Sequence, residues 1–277
     1  MPLSINCKGK ILPLEKPLVM GVLNVTPDSF YDGGKHQTIS GIAAQATKML
    51  HEGAAIIDIG GMSSKPGNAI IAVQEELNRI LPAIETVLTI DANTIISIDT
   101  LHAAVAAKAI EYGAAIVNDI SAGKYDPQML PTVADLKTPF IAMHMQGVPE
   151  NMMQHTNYNN ILTEVIEYFV ERINTFKQHH IADVIIDVGF GFSKTQEQNY
   201  FLLKNMHALS ILEKPVLAGL SRKSMAYKLL HTSPIEALNA TTALNMLALT
   251  QGAKILRVHD VKEAVETIKI WNAFNAE

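Results

Sequence analysis

Leu18-Val19-Met20-Gly21-Val22-Leu23-Asn24-Val25-Thr26-Pro27-Asp28-Ser29-Phe30-Tyr31-Asp32-Gly33-Gly34 decides how the rest of the chain is read. Its first six residues form an apolar run of strand length that stops at a polar amide, Asn24. The ten residues after Asn24 hold one Pro, two Asp and a Gly pair, too irregular for a helix and too long for a tight turn. An amide at the tip of a buried strand, opening onto a long polar loop, is where an α/β enzyme keeps its chemistry. A surface crossover whose Asp residues only cap turns is the other reading of this segment, and the remaining chain has to choose.

Apolar runs of the same kind recur at 18–23, 55–59, 94–98, 115–117, 139–143, 184–186, 215–218 and 254–258. Each is short and continuous, as expected of strands buried on both faces. Helical patterns lie between them at 41–52, 73–88, 101–112, 127–136, 160–180, 196–209, 221–230 with 234–251, and 261–274. Ser233-Pro234-Ile235-Glu236 and Asp260-Val261-Lys262-Glu263 are capping-box patterns, and Asp126-Pro127 offers a cap followed by proline at the first helical position. Gly53, Gly113 and Gly252 stand just past helical runs, where a left-handed residue closes a helix. Residues 3–14 suggest a short hairpin before the first main strand. Eight β-then-α units predict an α/β fold, a (β/α)8 TIM barrel with an N-terminal hairpin. No Pro/Ser linker or charge run divides the chain, so one domain is expected over 1–277. A doubly wound open sheet ranks lower because no Gly-x-Gly-x-x-Gly follows the first strand.

With 48% hydrophobic and 18% charged residues, the 277-residue chain has the composition of a compact protein with little disorder. A net charge of −5 gives no support to nucleic-acid or membrane-surface binding, so an anionic ligand must be attracted by local groups. The lone Cys7 excludes an internal disulfide and a cysteine metal cluster. The first eleven residues carry no apolar leader core, and no apolar run approaches membrane-spanning length, which points to a cytoplasmic enzyme or binding protein.

A barrel demands functional residues at the carboxyl ends of its strands. The strand ends read Asn24, Asp58-Ile59-Gly60-Gly61, Asp99, Asn118-Asp119, His144, Asp187, Ser221-Arg222-Lys223, and Arg257 with His259. Each has a bland explanation. Asp99 fits a helix cap, Asn118-Asp119 an Asx turn, and Asp58 a carboxylate that holds its own loop. His144 fits loop architecture as well as it fits a ligand contact. His51, His102 and His231 fall on helical stretches and are expected to face solvent. The joint pattern is harder to dismiss, because scattered polar residues would not choose one end of every strand. Asp99, Asn118, Asp187 and Lys223 would line the mouth with acceptors and donors suited to a flat, nitrogen-rich heterocycle. Asn24, Lys65, Arg257 and His259 suit a phosphate or diphosphate with a divalent metal. Ser221-Arg222-Lys223-Ser224 opens a helix whose free N–H groups would hold a carboxylate.

Asn24-Val25-Thr26-Pro27-Asp28-Ser29-Phe30 with Asp32-Gly33-Gly34, Asp58-Ile59-Gly60-Gly61, Val117-Asn118-Asp119-Ile120, Met143-His144-Met145-Gln146-Gly147, Gly189-Phe190-Gly191-Phe192, Ser221-Arg222-Lys223-Ser224-Met225 and Arg257-Val258-His259-Asp260-Val261 together resemble the dihydropteroate synthases. The resemblance spans the chain in the family's order. It implies that 7,8-dihydropterin-6-ylmethyl diphosphate is joined to p-aminobenzoate, releasing diphosphate and 7,8-dihydropteroate for folate synthesis. By the same resemblance Asp99, Asn118, Met143, Asp187, Gly219, Lys223 and Arg257 would hold the pterin. Asn24, Lys65, Arg257 and His259 would bind diphosphate, with Asn24 a Mg2+ ligand and Val25 to Gly34 a flap over the leaving group. Ser64, Lys65, Pro66, Phe192 and Ser224 would take p-aminobenzoate, the site at which sulfonamides compete. The implied chemistry is an SN1-like displacement in which Asp99, Asn118, Asp187, Lys223 and Arg257 serve the reaction, and the implied assembly is a homodimer through 234–251 and 261–274. The chain departs from the family pattern at Met62, Lys65 and Val188. Lys65 supplies a point charge where the family often has the bidentate fork of Arg. A methyltetrahydrofolate–corrinoid methyltransferase would share the pterin pocket but needs no diphosphate site, and a non-catalytic pterin binder would lack turnover.

Overall fold

In the computed structural model, residues 3–26, 39–64 and 67–276 are described. Strands β1 (Ser4–Cys7) and β2 (Lys10–Pro13) pair antiparallel as the predicted hairpin. Eight further strands follow: β3 (Leu18–Asn24), β4 (Ile56–Gly60), β5 (Ile95–Asp99), β6 (Ile116–Asp119), β7 (Phe140–Met143), β8 (Val184–Asp187), β9 (Val216–Ala218) and β10 (Ile255–Val258). All pair parallel in chain order, and β10 closes onto β3, completing the barrel. Most of these strands run into the polar tip beyond the apolar stretch, so Asn24, Asp99, Asp119 and Asp187 are strand residues with fixed register.

Alternation along each strand separates two apolar layers. Met20, Ile56, Ile95, Ile116, Ile141, Ile185, Leu217 and Ile255 point inward and fill the amino end of the barrel. The hairpin closes that end: Ile5, Cys7 and Leu14 pack into the same cluster, and the Asn6 amide donates to Asp183 at 3.0 Å. Ile57, Ile59, Ile96, Ile98, Val117, Phe140, Ala142 and Ile186 point outward against the helices. A one-residue slip of β4 would drive Asp58 into the helix layer and Ile57 into the barrel, so the register is strongly specified.

The outer ring contains α1 (Ile39–Glu52), α2 (Val73–Ile90), α3 (Ala103–Glu111), α4 (Met129–Leu136), α5 (Ile161–Gln178), α6 (Gln196–Asn205), α7 (Ser224–Tyr227), α8 (Leu238–Thr250) and α9 (Val261–Phe274). Gly53, Gly113 and Gly252 have φ of +100°, +117° and +95°, the left-handed stop their positions predicted. Several helical expectations need correction. The segment 196–209 divides into α6 and a 3-10 stretch, Met206–Leu212. The segment 221–230 contracts to the four residues of α7, because Arg222 sits at φ +54° and breaks the helical path. Ser233 donates to Glu236 through its amide and hydroxyl, at 3.0 and 2.7 Å, but this closes a turn ahead of α8. Asp260 stands at the cap position of α9 without capping it, since Arg222 holds its carboxylate at 2.6 and 2.9 Å. Asp126 accepts from Gln128 N and, across the loop, from Ala103 N at the start of α3.

Candidate active site at the carboxyl end of the barrel

The inward parity that fills the barrel floor with Ile carries, toward the other end, Asn24, Asp58, Gly60, Asp99, Asn118, Met143, Asp187, Gly219, Arg257 and His259. Register sets neighbours: Asn24 pairs with Gly60, Gly60 with Asp99, Asp99 with Asn118, and Met143 with Asp187. Two glycines keep the space between polar groups open. A Cβ at Gly60 would lie 3.5 Å from Asn24 Oδ1 and 3.8 Å from Asp99 Oδ2. One at Gly219 would lie 3.7 Å from Lys223 Nζ and 4.0 Å from Asp187 Oδ2. Asn24 and Asp99 therefore face each other over one bare backbone position, and Lys223 and Asp187 over another.

Arg257 ties the centre together. Its Nε lies 2.6 Å from Asp58 Oδ2, and a terminal nitrogen lies 2.7 Å from Asp99 Oδ2. Asn118 Nδ2 donates to both Asp58 oxygens, at 3.2 and 3.4 Å. Asp58 is fully buried, and instead of holding its own loop, the role its sequence position suggested, it orients two other mouth residues. Asp99 is no helix cap, because its carboxylate is on Arg257 and the first amide of α3 goes to Asp126. Burial pushes the Asp99 carboxyl up to about 7; Arg257 pulls it down, while Asp58, Asp119 and Asp187 add to the rise. For Arg257 burial works against the charge but Asp58 and Asp99 outweigh it, so its guanidinium is held above its ordinary value.

On the opposite wall Lys223 Nζ donates to the carbonyl of Phe190 and stands 4.7 Å above the centroid of Phe192. Asp187 Oδ1 accepts from Gly189 N at 2.8 Å, which leaves its other oxygen toward Gly219 and Lys223. Burial raises the Asp187 carboxyl and lowers the Lys223 ammonium to about 8, each opposed by the other's charge. This wall presents a carboxylate beside an ammonium at hydrogen-bonding spacing for one planar ring edge.

His259 Nδ1 lies 3.0 Å from Ser221 Oγ, which also accepts from the His259 amide at 3.1 Å. The residue keeps an exposed edge, yet the protein packed around its ring, and then the Arg257 charge, push it down to about 4. Ser224 opens α7, whose single turn is too short for the helix dipole expected there.

An apolar shelf flanks the mouth: Met62, Leu101, Ile120, Met143, Met145 and Met152, with Phe192 packed against them. Ser64 ends the described part of the second loop, while Lys65, Pro66 and the flap from Pro27, with Asp28 and Asp32, lie outside the described residues. Val188, where the chain also departs from the family pattern, faces the helices and is fully buried.

Parity also separates true mouth residues from their neighbours. Asp119 faces outward and accepts from Ser121 N and Gly123 N, both at 2.7 Å, as the Asx-type turn the sequence suggested. His144 faces outward too, 2% exposed, against Tyr168 and Lys194, so it is architecture. His51 and His231 are exposed as expected, but half-buried His102 ties Ile71 O to the ring of Tyr125. Reading the residues by type gave Asp58 a loop-holding role and passed over Lys194; period-two alternation is the signal that places Asp58 inside.

Residues 20–259 match the family of pterin binding enzymes. A dihydropteroate synthase of Escherichia coli is 40% identical over 273 residues, covering 98% of this chain and 96% of that protein. The structure of Yersinia pestis dihydropteroate synthase in a sulfonamide complex superposes with a TM-score of 0.94 at 39% identity, over 99% of this chain and all of that one. The Xanthomonas albilineans dihydropteroate synthase bound to 4-aminobenzoic acid superposes with a TM-score of 0.93 at 38% identity, over the full length of both chains. With motifs, barrel and mouth in agreement over nearly the whole length, the chain belongs to the dihydropteroate synthases, transferases of folate biosynthesis.

Proposed function

We propose that the barrel mouth condenses 7,8-dihydropterin-6-ylmethyl diphosphate with p-aminobenzoate by an SN1-like displacement. The observation that carries this is the division of charge at the mouth. Asp99, Asn118 and Asp187 offer acceptors to the N–H edge of a pterin, Lys223 meets its carbonyl, and Met143 and the bare Gly219 leave room for the ring. Arg257, fixed by Asp58 and Asp99, packs on the pterin face and reaches the diphosphate. Asn24 and His259 complete the diphosphate side, with Lys65 added from the sequence alone.

A negative lining under the pterin stabilises the cation that develops as the carbon–oxygen bond breaks, and cationic groups stabilise the leaving diphosphate. The arylamine nitrogen is already a free nucleophile at neutral pH, so no strong base is required. Asn24 contributes one neutral oxygen at the mouth, beside Asp99. That donor set fits Mg2+, which commonly takes one or two protein oxygens and fills its shell with substrate phosphates and water. When bound, Mg2+ would supply charge neutralisation to the leaving diphosphate. Ser64, Phe192, Ser224, and on sequence grounds Lys65 and Pro66, would hold p-aminobenzoate, and sulfonamides would compete there.

The proposed homodimer uses α8 and α9, where Leu247, Ile270 and Phe274 are 51%, 63% and 85% exposed. The lone Cys7 is in keeping with a reducing, cytoplasmic compartment. The deciding experiment is a diphosphate-release assay with and without p-aminobenzoate, repeated after chelation of divalent cations. Release only when both substrates and the cation are present is the expected result. Pterin binding without release would leave a binder, and methyl transfer to a corrinoid protein would leave a methyltransferase.

A further inference from the structure

Lys194 follows the loop that carries Phe190 and Phe192, is 2% exposed, and contacts the outward-facing His144. Its Nζ lies within hydrogen-bonding distance of four acceptors, one more than its N–H groups can serve singly: His144 Nδ1 at 2.9 Å, His144 O at 3.2 Å, Gly189 O at 3.0 Å and Phe192 O at 3.0 Å. Burial brings this ammonium down to about 7, with the Asp187 charge opposing the shift. Three carbonyl dipoles converging on one point repel one another unless a cation lies between them. Burial and the Lys194 charge push the His144 imidazole well below its ordinary value, which favours a neutral ring able to accept from Lys194.

The carbonyls of this loop divide their directions. Those of Gly189 and Phe192 turn to Lys194, while that of Phe190 turns to Lys223 Nζ. The ring of Phe192 lies beneath the same Lys223 ammonium, and the Gly191 amide is fixed by Asn199 Oδ1 at 2.7 Å. Both contacts that orient Lys223 toward the mouth are therefore made by residues whose neighbouring backbone Lys194 pins. Gly189 adds a further link, since its amide holds Asp187 Oδ1. We infer that Lys194 is a positioning residue for the pterin site, holding the 189–192 loop so that Phe190 and Phe192 aim the Lys223 ammonium. The inference rests on the reading of Lys223 as a pterin contact.

The test is a double-mutant cycle read by calorimetric affinity for a pterin analogue, supported by kcat/KM. Lys194→Met keeps the length and apolar stem but removes the ammonium. It should weaken pterin affinity by about tenfold in the wild-type background and by less than about twofold in a Lys223→Met background. Lys194→Gln, which restores two N–H donors, should recover part of the loss, and it replaces the Met variant if that protein shows no cooperative unfolding. An equal loss in both backgrounds would make Lys194 a general stabilising residue and overturn the inference, as would unchanged affinity in the Lys194→Met protein. If the wild-type protein itself binds no pterin, the functional reading fails and not the loop geometry.

Discussion

Asp58 Oδ2 lies 2.6 Å from Nε of Arg257, with Asp58 fully buried and the guanidinium one-fifth exposed at the mouth. The pairing sets which way the guanidinium plane faces, because Asp99 takes a second nitrogen at 2.7 Å. Arg257 is thus held in place before any ligand arrives, and a preorganised charge needs no rearrangement when the leaving group departs.

Removing the buried partner should therefore injure catalysis more than its distance from substrate suggests. Asp58→Ala leaves Arg257 with one carboxylate and Asn118 without its acceptor, and is expected to lower kcat/KM about 100-fold. Asp58→Asn keeps an acceptor oxygen and should lose about tenfold. Steady-state kinetics alongside thermal unfolding checks this; a lower melting temperature with intact kcat/KM would reduce Asp58 to a packing role.

Lys223 gives the mouth a pH dependence. Burial brings its ammonium down to about 8, with Asp187 opposing the shift. Below that value Lys223 is charged and donates to a pterin carbonyl; above it the proton is lost, so pterin affinity falls as pH rises through about 8. The expected slope approaches tenfold per pH unit on the alkaline side. Calorimetric titration of a pterin analogue from about pH 6.5 to 9.5 measures it, and a Lys223→Met protein should be weaker and flat above about pH 8, beyond the titrations of Asp99 and Lys194 near 7. An alkaline decline that persists in Lys223→Met would assign the titration to another group.

The barrel and its polar rim were legible in the sequence because continuous apolar runs report strands, and the residue ending each run reports the carboxyl end. Side-chain direction was legible as well, through alternation: Ile57 and Ile59 face helices, so Asp58 faces inward. What the local pattern did not carry was partnership. Asp58 finds Arg257 across 199 residues, and Lys194 finds His144 across 50. Such pairs follow from barrel closure. The helix expected over 221–230 failed for a similar reason, since Arg222 is drawn to Asp260 on the next β/α unit and takes a left-handed backbone.

Glu76, in the first turn of α2, is fully buried, and neither carboxyl oxygen has a hydrogen bond of acceptable geometry. Burial pushes its carboxyl up to about 7, Asp99 adds to the rise, and Thr100 and Arg79 oppose it. The native state therefore binds a proton that the unfolded chain has released between about 4.5 and 7, and stability should fall as pH rises through that window. Glu76→Gln cannot ionise. Relative to it, the wild-type protein should lose up to about 3 kcal/mol between those limits in chemical denaturation. Parallel pH profiles for the two proteins would remove Glu76 as the cause.

Gly189 is a backbone position at the mouth with no tolerance for a side chain. Its φ is +71°, and a Cβ there would lie 2.1 Å from the carbonyl oxygen of His144, which Lys194 also holds. Backbone cannot move aside as a flexible side chain can, so Gly189→Ala must displace either the 189–192 loop or the end of β7. Gly252 offers the control: its φ is +95°, but nothing lies within 4 Å of a Cβ. Gly252→Ala should cost about 1 kcal/mol, the left-handed strain alone. Gly189→Ala should cost more than about 3 kcal/mol and, in whatever fraction folds, weaken pterin binding through Asp187 and Lys223. Urea unfolding of both variants with pterin titration of the folded protein compares them, and equal destabilisation with equal affinity would show that the His144 carbonyl yields freely.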